Sequence, residues 1–399
     1  MKPLAGMRVV EMGNVVLAPY AGCVLADLGA EVVKIESAGG DSTRSLGHAE
    51  HPGMAALFLN CNRGKESVVM DLTKPAALAA FDKLIAGADI FLHNMRADSA
   101  ERLGVGYARL SKINPRLVYC ATYGYGAAGR GARRPAYDDI IQAGCGLAEI
   151  KTRVDGQPGY APTIVADKTT ALFAVIGILG ALRERDRTGE GRQIEVPMFE
   201  TMIGYLSVEH LNGLTWQEPR APSGYTRLLG PYRRPHMTKD GWLAVMPHSE
   251  SQWKKFFTTV GRPDVLTDPR FATQALRTRN IQELYEVVGE VLPTRTTAEW
   301  TELFVANDVP FGPVHKLEDL IVDEHLADVG FWHEVEHPDE GRLRVPSFPV
   351  RDGGPGGDAT PAMTGAPRLG EHTASVLQRL GYGPADVAAM VAEGAVKTG

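Results

Sequence analysis

A chain of 399 residues, 44% hydrophobic and 23% charged, has the composition of a globular protein too long for one ordinary core, so two domains are expected. The formal net charge of −6 argues against a general nucleic-acid binder, which needs a basic face, yet leaves room for local basic pockets around an anionic ligand. Four cysteines, Cys23, Cys61, Cys120 and Cys145, form no CxxC pair, which indicates neither a zinc ribbon nor a disulfide framework and points to reduced thiols in the cytoplasm.

The opening MKPLAGMRVVEMG has no apolar run behind its first lysine and does not read as a signal peptide. Arg8–Met12 is a short apolar strand, a helix follows over Tyr20–Leu28, and Glu31–Ile35 is the next strand. Ser67–Leu72, a helix over Pro75–Ile85, and Asp89–His93 repeat the unit, and Leu117–Tyr123 closes the series. Short apolar strands alternating with helices predict right-handed βαβ units and a parallel sheet, an α/β fold.

From Tyr137 to Glu200 the pattern gives a helix, a loop, a long helix after Asp167 and a strand over Gln193–Val196. The uncharged stretch Thr169–Leu182 is shorter than the ~18 residues that span a bilayer, so it is expected to be a buried helix and not a membrane anchor. Residues 215–240, rich in Pro, Gly and Arg, read as a linker and surface loop. A smaller α/β domain is expected over 225–320, with a strand at Trp242–Met246 and amphipathic helices over Ile281–Val291 and Thr297–Ala306. A second Pro/Gly-rich run covers 340–367 and a final amphipathic helix covers Thr373–Leu380.

Residues 124–129 read GYGAAG, a literal GxGxxG after a strand. A dinucleotide fingerprint requires its third glycine to open a helix beneath the pyrophosphate, and here RGARRPAYDD follows, which is a loop. No GxSxG elbow or HExxH helix occurs, and His236 and His248 have no partner at a metal-ligand spacing. Arg44, Lys65, Lys74, Arg102, Arg133 and Arg134 lie in or beside βα junctions, where most are expected to be solvated and a few could hold a phosphorylated ligand.

Asp167 opens an apolar helix in IVADKTTALFAV and has two readings. One is an N-cap, which accepts free N–H groups of the first turn and contributes ~1 kcal/mol. The other is a desolvated carboxylate able to attack an activated acyl group, and the lack of a capping-box Glu or Gln at Thr170 keeps it open.

An ordered set of segments, PLAGMRVVEMGNVVLAPYAGCVLADLGAEVVKIE, CNRGKESVVMDL, RLGVGYARLSKINPRLVYCATYGYG, AYDDIIQAGCGL, ADKTTALFAVIGILGALRERDRTGEGRQIEVPMFE and APRLGEHTASVLQRLGY, resembles the class III CoA-transferase family of the CaiB/BaiF type. That family includes formyl-CoA transferase, carnitine CoA-transferase and α-methylacyl-CoA racemase. The resemblance implies a Rossmann-like large domain, 1–215 with 325–399, a small domain over 225–320, and an interlocked homodimer. It implies Asp167 as the nucleophile that moves CoA between carboxylic acids, through aspartyl-anhydride and aspartyl-CoA intermediates. A CoA thioester and a carboxylic acid would be the substrates, with no tightly bound cofactor, metal, nucleic acid or membrane involved.

The same resemblance implies CoA contacts at Val15 and Val16, where formyl-CoA transferase carries Val-Gln, so the Gln is absent. It implies further contacts at Asn94 and Met95, at Arg102 and Leu103, and at Met70 and Lys74 in the adenine region. A family lysine is Pro135 here, which leaves Arg134 as its substitute beside Tyr137. The tetraglycine loop of formyl-CoA transferase is missing, which speaks against formyl and oxalyl substrates. The alternative, a 2-methylacyl-CoA racemase, is implied less well, because its catalytic His position is Tyr137, and tyrosine, with an unperturbed pKa near ~10, is a poor replacement for a proton shuttle.

Overall fold

The short apolar runs of the first half of the chain become strands of one sheet. A computed structural model describes residues 2–350 and 364–399; residues 351–363, within the second Pro/Gly-rich run, lie outside the described residues. The strands are β1 (Arg8–Met12), β2 (Glu31–Glu36), β3 (Lys65–Met70), β4 (Ile90–His93), β5 (Val118–Tyr123) and β6 (Arg192–Pro197). Further along come β7 (His236–Met237), β8 (Trp242–Val245), β9 (Phe311–Pro313), β10 (Trp332–His337), β11 (Gly341–Pro346) and β12 (Val396–Lys397).

The large sheet runs β12-β3-β2-β1-β4-β5-β6, parallel throughout except for β12, which pairs antiparallel with β3. Alternate side chains of each strand feed cores on both faces. Val9, Val32, Ile90 and Val118 pack with helices Leu17–Asp27 and Val165–Thr188. Phe91 and Tyr119 pack with Phe81 of helix Pro75–Ala86 and with Val376 and Leu377 of helix Thr373–Arg379. Burial on both faces is why the strands read as nearly continuous apolar runs.

Three charges interrupt those runs. Glu11, Lys34 and Lys65 are fully buried, and Lys34 Nζ lies 3.0 Å from Glu11 and 2.9 Å from Asp41, while Lys65 Nζ lies 2.7 Å from Glu11. Burial pulls the Lys34 ammonium down, but Glu11, Asp41 and Glu36 outweigh it and raise its pKa. Gly22 has no side chain because a Cβ there would sit 2.1 Å from the Glu11 carboxylate. β3 begins two residues earlier than the apolar pattern implies, since the buried Lys65 is part of it.

Helix Val165–Thr188 is long and apolar enough, by length and composition, to cross a membrane, and half of its most apolar window is buried. Ala171, Ala174, Ile178 and Leu182 enter the core. Leu172, Phe173, Ile176 and Leu179 are exposed, so the expectation of burial all round is corrected to burial of one face. The sequence shows no amphipathic period to separate the faces, because both are apolar. Gly189 ends this helix in the left-handed conformation, with its N–H donated to the Arg185 carbonyl.

The chain divides into two compact units, one of residues 1–145, 160–205 and 328–399, the other of residues 146–159 and 206–327. The first holds the large sheet and the β10-β11 hairpin. The second holds the three-stranded antiparallel sheet β7-β8-β9 and an aromatic core in which Trp253, Phe256, Phe257, Tyr285, Trp300 and Phe304 are buried.

Candidate active site

The strand order of the large sheet reverses between β1 and β4, the kind of switch point at whose carboxyl edge open α/β sheets generally take their ligands. Asn14 and Asn94 tie together the two loops that follow β1 and β4: Asn14 donates its backbone N–H to Asn94 Oδ1 at 3.1 Å, and Asn94 Nδ2 donates to the Asn14 carbonyl at 2.7 Å. Val15 stands between them with φ of 68°, a left-handed conformation that a β-branched residue rarely adopts. Its N–H donates to Asp41 Oδ1 at 3.2 Å, and the other oxygen of Asp41 is held by the buried Lys34. The charge network thus fixes the backbone of the first loop.

The second loop is fixed by His93, the last residue of β4. Its Nδ1 accepts the Met95 N–H at 3.2 Å, which leaves Nε2 to bond the Tyr119 hydroxyl at 2.8 Å. Burial presses its pKa down to about 4, so the ring is neutral and can accept the backbone proton.

The third contributor is the mouth of helix Val165–Thr188. This helix returns through a short turn to β6, a parallel strand, so its N-terminus lies at the carboxyl edge of the sheet. Ile164 is the N-cap and makes no side-chain cap. The cap comes from the neighbouring helix Asp138–Gly144: Asp138 Oδ1 accepts the N–H groups of Ala166 at 2.7 Å and Asp167 at 3.0 Å. Asp138 Oδ2 accepts Gln142 Nε2 at 2.5 Å, and Gln142 Oε1 accepts the Ala161 N–H at 2.9 Å.

Asp167 is therefore the third residue of the helix and not its cap, which corrects the capping reading. Its carboxyl group makes no hydrogen bond among the described residues, and the residue is 9% exposed. Burial first, and then the Asp138 charge, raise its pKa from 3.8 to about 7. Desolvation without partners leaves a carboxylate with unused lone pairs, a nucleophile or base and not a structural anchor.

Of the residues singled out in the sequence, Val15, Val16, Asn94 and Met95 fall in the two tied loops. Val16 is buried, and Met95 is half-buried against the core. Arg134 and Tyr137 are exposed in the loop after β5, which is linked to the β4 loop by Arg96 Nη1 donating to the Arg133 carbonyl at 3.1 Å. Met70 and Lys74 lie on the far side of β2, after β3. Met70 is buried in the core, while Lys74 is exposed at the mouth of the next helix. Arg102 is exposed and pairs with Asp98, and Leu103 packs on the core.

Asp138, Gln142, Asp41 and His93 are not singled out as site residues from the sequence. The i, i+4 spacing of Asp138 and Gln142 was the available signal for the first pair. Among the described residues no group of three or more His, Cys, Asp or Glu forms that could hold a metal ion.

The GYGAAG segment forms successive tight turns. The N–H groups of Gly126 and Ala127 are donated to Glu200 at 3.1 Å and Glu195 at 2.6 Å, so two carboxylates occupy the donors a phosphate would need.

An open sheet with this reversal, and a desolvated carboxylate at its carboxyl edge, defines an α/β protein with a candidate reactive group at the switch point. The sequence matches the model of CoA-transferase family III over residues 4–373, and the chain belongs to that family. Succinyl-CoA:glutarate CoA-transferase of Mus musculus is 32% identical over 95% of this chain and 87% of its own. The Mycobacterium tuberculosis protein named "Probable fatty acyl-CoA transferase Rv3272" is 32% identical over 84% of this chain and 88% of its own. A crystal structure of a CAIB/BAIF family protein from Brucella suis superposes with a TM-score of 0.80 at 29% identity, covering 95% of this chain and 99% of that one. The protein is a CoA-transferase, an enzyme that moves CoA between carboxylic acids.

Proposed function

We propose that Asp167 is the nucleophile of this transfer. The observation that carries the reading is a buried carboxyl group without a hydrogen-bond partner, on a backbone pinned by Asp138. An Asp167 oxygen attacks the thioester carbon of the donor, the C–S bond breaks, and CoA thiolate leaves a mixed anhydride. The thiolate attacks the Asp167 acyl carbon and expels the donor acid, which gives an aspartyl-CoA thioester. The acceptor carboxylate reverses both steps and departs as the new thioester. Each step exchanges one activated acyl bond for another, so no external energy source is consumed. A carboxylate whose pKa lies near 7 is more nucleophilic than an ordinary one, and the dry site protects the anhydride from hydrolysis.

CoA is placed at the carboxyl edge of the sheet, along the loops of Val15, Val16, Asn94 and Met95, with Arg102 and Arg134 toward its phosphates and Lys74 toward the adenine. Support comes from the reversal of strand order at β1 and β4, where such sheets take their ligands. The exposed apolar face of helix Val165–Thr188 supports burial in an interlocked homodimer.

Intact-protein mass spectrometry after incubation with an acyl-CoA tests the reading. It should show a CoA adduct that hydroxylamine removes and that Asp167→Asn lacks. A variant at Asp167 with full transfer activity would refute the mechanism.

A further inference from the structure

Helix Val165–Thr188 opens on a turn whose hydrogen-bond donors are already used. The Val165 N–H is donated to the Thr163 carbonyl at 2.7 Å, those of Ala166 and Asp167 to Asp138, and that of Lys168 to the Ile164 carbonyl at 3.3 Å. Lys168 Nζ turns to Thr163 Oγ1 at 2.5 Å. A helix mouth ordinarily offers free N–H groups to an anion, and the first turn of this one offers none. The transfer proposed above creates negative charge there. When the thiolate attacks the Asp167 acyl carbon, the carbonyl oxygen of Asp167 becomes an oxyanion, which requires a donor.

One donor a single turn from Asp167 is uncommitted. Thr170 is fully buried, and its Oγ1 has no hydrogen-bond partner among the described residues. A threonine hydroxyl inside a helix ordinarily faces solvent or bonds the carbonyl four residues back. Burial excludes the first, and the lack of any partner excludes a bond to the Ala166 carbonyl. Thr170 lies on the buried side of the helix with Asp167, Ala171 and Ala174. Residues three apart on a helix have Cβ atoms about 5–6 Å apart, and helical side chains lean toward the N-terminus, so Thr170 leans over the turn that carries Asp167. A carboxyl group without donors and a hydroxyl without an acceptor are thus neighbours on one buried face.

We propose that Thr170 is a catalytic residue, whose hydroxyl donates a hydrogen bond to the Asp167 carbonyl oxygen while that oxygen carries the charge of the tetrahedral adduct. The inference rests on the CoA-transfer reading above. The thiolate electron pair forms the new C–S bond and the carbonyl π pair moves onto the oxygen. Its return expels the donor carboxylate. Thr170 keeps its proton throughout. Because the bond forms only on the way to the adduct, it lowers the barrier without tightening the bound substrate.

The test is the rate of CoA-adduct formation at Asp167 in the full chain, followed by quenched mass spectrometry with succinyl-CoA and with acetyl-CoA as donor. Thr170→Val replaces the hydroxyl by a methyl group of similar shape. Its maximal rate should fall by about ten- to a hundredfold, the worth of one hydrogen bond to a charged oxygen, at an unchanged half-saturating donor concentration. Its Tm should equal or exceed that of wild type, since an unpartnered buried hydroxyl has been removed. Thr170→Ser, which keeps the hydroxyl, should retain most of the rate. A wild-type rate in Thr170→Val would overturn the proposal while leaving Asp167 as the nucleophile. Equal slowing in Thr170→Val and Thr170→Ser with a lowered Tm would also overturn it and make the residue a packing element. No adduct in wild type with either donor would sink the transfer reading and this inference together.

Discussion

Asp138 accepts the backbone N–H of Asp167 at 3.0 Å, so one acid caps the helix that presents the other. The cap orients the Asp167 backbone, and the Asp138 charge opposes ionisation of the Asp167 side chain. Burial makes the larger contribution to the raised pKa and Asp138 the smaller. Transfer should therefore require deprotonation of Asp167, with the acid limb of kcat/KM centred near pH 7 in wild type. Asp138→Asn keeps an oxygen to accept the two N–H groups and removes the charge. Its acid limb should shift to lower pH while staying above that of an ordinary carboxyl, and its plateau rate should fall. Asp138→Ala should in addition lose ~1 kcal/mol or more of stability with the cap. A pH–rate profile that Asp138→Asn leaves unmoved would show that the charge does not reach Asp167.

The reactive carboxyl group costs stability. With a folded-state pKa raised from 3.8 to about 7, Asp167 binds its proton more tightly in the native protein than in the unfolded chain. Its contribution to stability is complete below about pH 4 and is lost as the pH rises through 7. Asp167→Asn, which keeps the shape without the charge, should be more stable than wild type at pH 8 by on the order of a few kcal/mol, and so unfold at a higher temperature. The difference should shrink toward pH 4. Paired melting curves across that range check it, and a less stable variant at pH 8 would contradict the assigned shift.

Much of the first unit is legible in the sequence because its strands are buried on both faces. Arg8–Met12 is read to the residue, as are the later helices Ile281–Val291 and Thr297–Ala306. What escapes is what depends on long-range pairing. Lys34 and Lys65 look like solvated charges until Glu11 is brought beside them, and β12 joins β3 from the opposite end of the chain. Asp167 invites the capping reading because local sequence cannot show that Asp138, on another helix, already fills the role. Arg227 reads as part of a basic loop, and only the fold brings it to the Tyr285 hydroxyl and to His248.

The buried charges should be cooperative. Lys34→Met would remove the cation of Asp41 and one of the two cations of Glu11, leaving uncompensated charge in the sheet. Breaking such a pair from one side costs ~3–5 kcal/mol. Urea unfolding should show a loss of that size. Asp41 would also lose its anchor, and with it the acceptor that holds the Val15 N–H. Hydrogen exchange at the Val15 amide should then accelerate by more than the loss of global stability accounts for. Equal acceleration throughout the sheet would mean that the network stabilises the fold without specifically holding this loop.

The exposed face of helix Val165–Thr188 makes a prediction about assembly. Ile176 is 62% exposed and sits among Leu172, Phe173 and Leu179, a stripe at helical spacing with no polar side chain to solvate it. Exposed aliphatic side chains contribute ~25 cal/mol for each Å² removed from water, so covering the four is worth several kcal/mol. Burial of a charge in the same place would cost more than the stripe returns. If a second copy covers the face, Ile176→Asp should weaken the dimer and yield monomer at micromolar concentration in sedimentation velocity. Because Ile176 points away from the core, a released monomer should keep the helical circular dichroism of the wild type. A dimer of unchanged affinity in Ile176→Asp would mean that the stripe lies outside the contact.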